Sequence, residues 1–430
     1  SVRDTQSEYG LIGHSHGHED EHHEDEEEGE EHEEHEEESP FIDLSHTRYD
    51  LRGGVTFEDA LLTKALLTAS FVDYEHTEFE APGEAGSNFT SEGHEIRFEV
   101  DHASILGFEG AVGFSTTDKS LESIGEEAFI TATDTNSLGV FIYEAADFEN
   151  GAGVEGGLRI ESVDVDNRVF GDREFNVFGG SLGAHKHFKN GFFTGVQYSY
   201  TERAPTDVEL FANGPHLATQ QFEVGNASLS EEKGQNVEAT LRWSNDTFSL
   251  GANVFFSDFE DFIFLSPTGE EDDALPVFEF TQSDAEFTGG EVFANAQLGS
   301  FAAADWNFEA GVDWVDAEFD GGANLPFIPP LNARAELDAE WRFASAGVEI
   351  IWADDQDDNG VGQLPTDGYT LLNLSADYDL GGVNTALDGA KVFIQARNVT
   401  DEEARVATSV LKDLAPLPGR NIKVGVRYAF

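Results

Sequence analysis

The sequence predicts an all-β fold: a transmembrane antiparallel β-barrel, present in part, with about 17–18 strands. Three observations carry that expectation. The last ten residues alternate, with Ile422, Val424, Val426, Tyr428 and Phe430 apolar and Asn421, Lys423, Gly425, Arg427 and Ala429 polar or small. A period of two makes a strand with one greasy face, and the length suits a tilted membrane-spanning strand of ~9–11 residues. Similar alternating segments fill the chain from His46 onward, and the connections between them alternate in length. Short turns on one rim and long loops on the other are expected of a barrel whose rims face different compartments. A soluble sandwich has no reason to show them.

Composition sets the outer bounds. No apolar run approaches the ~18 residues of a helical span, whereas a barrel spreads its signal over many weak segments. Forty-four Gly and 36 Phe suit tight turns and aromatic girdles. Cys is absent, which removes disulfides and thiolate metal sites. Met is absent too, so Ser1 reads as the start of a processed or truncated piece rather than a translational start. The formal charge of -63 argues against nucleic acid as a partner and suits cation attraction or high salt. Residues Glu19–Glu38 contribute -15 of it, leaving -48 spread over the remainder. The acidity is therefore general.

Taken in order, Ser1–Tyr9 reads as the end of a strand. Residues 10–47 form an expected extracellular loop in which His14, His16, His18, His22, His23, His32 and His35 fall among acidic residues. From Glu19 to Glu38 everything except four His and Gly29 is acidic, so the segment cannot bury apolar surface and is expected to be solvated. About 17 strands follow His46; the clearest are Val237/Ala239/Leu241/Trp243, Phe248/Leu250/Ala252/Val254/Phe256, Val292/Ala294/Ala296/Leu298, Trp306/Phe308/Ala310/Val312/Trp314 and Leu372/Leu374/Ala376/Tyr378. Their opposite faces are polar, as a wet lumen requires. Short turns are expected near Gly381–Leu387, Phe343–Ala346, Gly299–Ala304, Ser244–Thr247, Lys189–Gly191 and Glu149–Gly151. Long loops are expected at Thr400–Arg420, Asp354–Gly368, Asp320–Pro330, Asp258–Ala285 and Glu202–Lys233.

Several segments carry a family resemblance. Thr201-Glu-Arg-Ala-Pro-Thr-Asp-Val-Glu-Leu-Phe211, Phe222-Glu-Val-Gly-Asn-Ala-Ser-Leu229, Arg397-Asn-Val-Thr-Asp401 and Pro418-Gly-Arg-Asn421 resemble loops of TonB-dependent outer-membrane receptors. Tyr9-Gly-Leu-Ile-Gly-His-Ser-His16, the His/acid run, Arg48-Tyr-Asp-Leu-Arg52 and Ala212-Asn-Gly-Pro-His-Leu-Ala-Thr219 look like the zinc-uptake branch. The resemblance implies a 22-stranded barrel filled by an N-terminal plug. Against that plan the chain is the C-terminal barrel portion, with plug, TonB-contacting segment and first strands lying outside it. It further implies a terminal aromatic, Phe430 with Tyr428 beside it, that guides insertion by the barrel-assembly machinery into outer-membrane lipid. The TonB complex would act through the missing plug.

The candidate chemistry is metal capture. His14, His16 and His18 alternate, so an extended backbone points all three imidazoles one way. Neutral imidazole suits Zn, Cu(II) and Ni(II), and a tetrahedral zinc site can draw on His and Asp/Glu alone. Seven His within 22 residues exceed what a plain acidic cushion needs. Their surplus points to several weak, exchanging sites, among which ligand order cannot pick zinc, since copper binds such donors more tightly; zinc as the transported ligand is what the resemblance implies. His216, inside the family-like motif, is a candidate ligand where its loop folds over the lumen; its bland alternative is a polar loop residue. His185 and His187 read as lumen residues beside a short turn, and His46, His76, His94 and His102 show no pattern. Asp355-Gln-Asp-Asp-Asn-Gly360 matches the front half of a calcium loop, but Thr366 stands where the closing Glu belongs. No nucleophile–base pair or phosphate loop rises above chance, so no enzyme is expected. The function expected is import of a divalent metal, most plausibly zinc. A receptor for a siderophore or other metal complex and a plugless acidic porin or surface-binding protein are the alternatives.

Overall fold

A computed structural model describes residues 1–10, 41–58, 61–125, 128–216, 218–272 and 274–429. Strand β1 (Val2–Gly10) is followed by β2 (Phe41–Thr56), β3 (Leu62–Ala81), β4 (Glu84–Ile105) and β5 (Phe108–Gly125). Next come β6 (Thr133–Asp147), β7 (Ala152–Asn167), β8 (Gly171–His187) and β9 (Phe192–Arg203). A short helix, α1 (Asp207–Phe211), and a small hairpin of β10 (Asn213–His216) and β11 (Gln221–Val224) interrupt the series. It resumes with β12 (Glu232–Ser244), β13 (Phe248–Asp272), β14 (Leu275–Phe301), β15 (Ala304–Phe319) and β16 (Asn332–Trp341). The last are β17 (Ala344–Ala353), β18 (Tyr369–Asp379), β19 (Ala390–Arg397) and β20 (Asn421–Tyr428).

Each long strand pairs antiparallel with the next, and β9 bypasses the hairpin to pair with β12. The result is one up-and-down sheet that begins at β1 and ends at β20. Strands β2–β9 and β12–β20 are the 17 expected from His46 onward, and β1 is the one expected before it. Antiparallel neighbours joined by tight turns satisfy their backbone groups inside the sheet, the condition for crossing hydrocarbon.

Two boundaries differ from the sequence expectation. Residues 41–47 belong to β2 rather than to a loop: Phe41 lies opposite Gly10, and His46 opposite Thr5. The ladder continues there because Ile42 is buried and pairing occupies backbone groups of both strands. The expected long loop Asp258–Ala285 is instead a tall hairpin in which β13 and β14 run on to Asp272 and Leu275. A break in register between Phe259 and Phe262, where Asp261 has φ 56°, marks where the ribbon leaves the barrel wall. Its polar tip hid this in the sequence.

The outward face matches a lipid-facing band. Val237, Leu241, Leu250, Val254, Val292 and Val312 are all exposed. At the short-turn rim, Trp243, Trp306 and Trp341 each donate an indole N–H to a turn carbonyl, of Asn190, Phe301 and Ala302, at 3.1–3.2 Å. An apolar ring with a polar tip suits the headgroup level. Trp314 points outward eight residues along β15 from Trp306, or ~26 Å of strand, on the scale of the barrel's apolar band. The packed cores lie elsewhere. All three buried clusters sit at the long-loop rim, around Leu210, Phe211 and Leu229, around Phe129 and Ile130, and around Ala285 and Leu325. A barrel this wide is not filled by its own wall; loops folded back across its mouth provide the core.

One loop pair shows how the rim is held. Lys412 is buried and donates to the Leu364 carbonyl and to Thr366 Oγ1, tying residues 398–420 to residues 354–368. Burial pulls its pKa below that of an ordinary lysine.

The band makes a direct prediction. Ala310 lies midway between Trp306 and Trp314 on the lipid face, so Ala310→Arg should destabilise the folded protein by ~2–4 kcal/mol. Its neighbour Glu309, on the lumen face, should tolerate Glu309→Gln with a change several times smaller. Denaturant unfolding in lipid vesicles measures both.

Candidate functional site at the barrel mouth

The connection from β9 to β12 builds the site. Its first half is an anchored helix. Thr206 caps α1 by accepting from the Glu209 amide at 3.2 Å, and Glu209 accepts from the Thr206 amide at 2.7 Å. Arg203 bridges Glu209 and Glu232 at 2.8 and 3.1 Å, closing the base of the segment, and Lys119 on β5 grips Asp207 at 2.7 Å. Leu210 and Phe211 then bury against Val165, Phe175 and Leu229. Gly225 follows with its Cα against α1, where a Cβ would lie 2.6 Å from the amide nitrogens of Phe211 and Ala212. The family-like stretch 201–229 is thus a structural clamp.

The second half carries the chemistry. Strand β10 crosses residues 128–130 so closely that a Cβ on Gly214 would stand 2.7 Å from the Ala128 carbonyl. Strand β11 pairs in parallel with the β13–β14 ribbon, placing Glu223 between the paired residues Phe222 and Val224. This geometry sets His216 over Phe129, rings stacked at 4.8 Å, with Nδ1 2.7 Å from Glu223 Oε1. Thr219 Oγ1 lies 3.1 Å from the same carboxylate oxygen and 3.0 Å from the His216 carbonyl. Glu223 is buried, whereas the His216 side chain keeps 30% of its surface open. With Nδ1–H donated to the carboxylate, Nε2 holds a lone pair, the arrangement that second-shell carboxylates impose on metal-ligating histidines.

The stack continues across the barrel wall. Phe129 meets Phe89 at 5.7 Å, and Phe89 lies flat on His76 at 4.4 Å. His76 and Glu78 share the inward face of β3, opposite to exposed Leu67 and Phe71, with side chains 14% and 7% exposed. Two His–Glu pairs, each with a buried carboxylate, are therefore joined by two phenyl rings. Sequence reading missed His76, Glu78 and Glu223. The His-x-Glu spacing on one strand face was available as a signal; the pairing of His76 with Phe89 across β3 and β4 was not.

The remaining expectations fall as follows. His14, His16, His18, His22, His23, His32, His35 and Phe430 lie outside the described residues. The attachment points of the His run, Gly10 and Phe41, pair at the long-loop rim, and Phe41 stacks on Phe79 at 4.8 Å. Tyr428 ends β20 opposite Ala390 and is exposed. His185 and His187 face the lumen near the short turn, where His185 Nε2 meets Asp147 at 3.0 Å. The calcium-like turn is closed internally, with Asp355 accepting from the Gly368 amide and Gln356 bridged to Thr366. Asn398 and Asp401 are likewise structural: Asn398 binds the Glu402 backbone, and hydrogen bonds from the Arg420 amide and guanidinium hold the Asp401 carboxyl below the usual range. Among the described residues no three His, Asp or Glu side chains converge on one point suited to a metal.

An up-and-down sheet with an apolar outer band, an aromatic rim and loops folded into its mouth defines an outer-membrane β-barrel. The chain belongs to the TonB-dependent receptor-like β-barrel family, whose pattern it matches over residues 33–399. Its fold is similar to that of the copper transporter OprC, at 16% identity and a TM-score of 0.76 over 91% of this chain and 69% of that one. The FrpB iron transporter from Neisseria meningitidis (F5-1 variant) is similar at 13% identity and TM-score 0.72, over 91% and 64%. A double mutant of the Serratia marcescens hemophore receptor HasR, in complex with its hemophore HasA and heme, is similar at 14% and 0.67, over 91% and 66%. The chain thus spans about two thirds of each of these proteins, and at such identities the likeness establishes the fold.

The clamp predicts its own failure. Arg203→Met removes both ion pairs at the base of the segment while keeping the stem. Allowing for its exposure, the loss should be ~1 kcal/mol locally. Hydrogen exchange of amides in 206–231 should then rise about fivefold, with β15–β17 unaffected.

Proposed function

We propose that the protein is a receptor for uptake of a divalent metal, zinc above the others, captured by the His/acid run and delivered to the mouth at His216. The observation that carries this reading is the His216–Glu223 pair: a buried carboxylate holds Nδ1 and leaves Nε2 free on a side chain that stays partly open. The His run supports it by composition, and the residues that flank the run in sequence, Gly10 and Phe41, pair with each other. The absence of both Cys and Met favours zinc over Cu(I), which selects thiolate and thioether donors. Energised passage would be supplied by the TonB complex acting on a plug, and Phe430 with Tyr428 would form the signal read by the barrel-assembly machinery.

Imidazole ligates only when neutral, so zinc and protons compete and binding weakens as pH falls through the imidazole range. The many carboxylates concentrate cations at low salt, but screening over ~8 Å at physiological ionic strength limits that effect. Titration of the protein with Zn(II), Ca(II) and Mg(II) at two salt concentrations separates the two contributions. The expected outcome is more than one zinc equivalent, released protons and little loss at high salt. Calcium and magnesium should bind weakly and only at low salt. Replacing the seven run histidines by Asn should remove most zinc equivalents while leaving net charge near neutral pH almost unchanged. Unaltered zinc binding in that variant would reduce the run to an acidic cushion and sink the reading.

Assembly is tested separately. Deleting Phe430 should sharply lower the amount of protein in the outer-membrane fraction, and unchanged levels would remove the signal from that residue.

A further inference from the structure

We propose that His76 and Glu78 form a second docking point for the divalent cation, a weak station on the inward wall of β3 between the His run and His216. The inference rests on the metal-uptake reading and adds a site to it. His76 Nε2 stands 3.6 Å from Glu78 Oε1, too far for a hydrogen bond. His76 Nδ1 is buried and has no hydrogen-bond partner among the described residues. A nearly buried imidazole with one nitrogen unpartnered and the other loosely set beside a buried carboxylate is a costly arrangement that a purely structural role does not explain. Phe89 would stack equally well on a phenyl ring.

The spacing fits a metal better than a proton. Two donors on one tetrahedral zinc, each ~2.0–2.2 Å from it, sit roughly 3.4 Å apart. The His76–Glu78 separation is close to that value, whereas His216 and Glu223, at 2.7 Å, are already hydrogen-bonded to each other. The buried carboxylate supplies charge next to the imidazole, and water completes the shell. Two protein ligands give weak, fast-exchanging binding, which suits a transfer point. Its place agrees: Leu44 and Ile42 lie opposite His76 and Glu78, three and one residues beyond Phe41, where the His run joins β2 in sequence. From there the ring stack through Phe89 and Phe129 leads to His216.

The test uses the full-length protein in detergent with the seven run histidines replaced by Asn, so that only mouth sites remain. Zn(II) is titrated against a chromophoric chelator, and heat-modifiable migration on gels reports folding. His76→Phe keeps the stack on Phe89 and removes both nitrogens; Glu78→Gln keeps size and removes the charge. Each should abolish one zinc equivalent or weaken it at least tenfold, and His216→Gln should remove a different one. If His76→Phe fails to fold, Glu78→Gln decides. Unchanged zinc stoichiometry and affinity in the folded His76 and Glu78 variants, with His216→Gln still losing an equivalent, would overturn the station and leave the uptake reading intact. If the parent with all its histidines binds no zinc either, the uptake reading falls with it.

Discussion

Inside hydrocarbon no water is available to an unpaired peptide group, and this single constraint orders the molecule. It explains why strands of the meander, β1 to β9 and β12 to β20, pair with their sequence neighbours, and why the turns on one rim are as short as two residues. It also explains why the largest departure from the meander among the described residues, α1 with the β10–β11 hairpin, occurs where a loop has already left the lipid band. Irregular backbone is affordable there because side chains such as Thr206, Asn226 and Asn398 supply the missing hydrogen bonds.

A wall of alternating residues cannot fill the space it encloses, so packing moves to the mouth. Buried apolar side chains gather where residues 204–231 and 320–331 turn inward, and they are held by charges reaching across from the wall: Lys119 to Asp207, Arg203 to Glu209, Arg173 to the Leu229 carbonyl. Buried carboxylates become tolerable in that setting when an imidazole or a guanidinium faces them. Glu223 shows the satisfied case, with His216 and Thr219 on one oxygen. Glu78 and His76 show the looser one, with Nε2 and the carboxylate apart and Nδ1 unpartnered. The contrast between a 2.7 Å and a 3.6 Å separation, in two otherwise similar pairs joined by one aromatic stack, makes the mouth more than a hydrophobic seal.

The excess of acid has two distinct settings. In the lumen wall several carboxylates are paired with arginines on the same or the neighbouring strand, as Glu99 is with Arg97, Glu161 with Arg159, and Glu336 and Glu349 with Arg334. These are short-range arrangements that salt weakens only modestly. The rest, with 86 acidic against 23 basic residues, has too few cations for pairing and forms a diffuse field that acts on mobile cations. Under the proposed uptake reading, the field would supply concentration and the imidazoles selectivity.

The sequence by itself determined the fold class, the strand number and the rim on which the long loops lie, because a period of two with alternating loop lengths is a local pattern that membrane burial writes into every strand. It also singled out His216, through a motif rather than through geometry. Tertiary structure decided what neighbours do. The extension of β13 and β14 past Asp258 depends on cross-strand pairing and on β11 docking alongside, neither of which leaves a mark in a polar stretch. His76 showed no pattern in the sequence and Glu78 drew no notice until β4 brought Phe89 over the imidazole, and Glu223 became a partner of His216 only when the hairpin folded. Periodicity encodes which face a side chain takes; which side chain from another strand it meets is set by register, and register is a property of the assembled sheet.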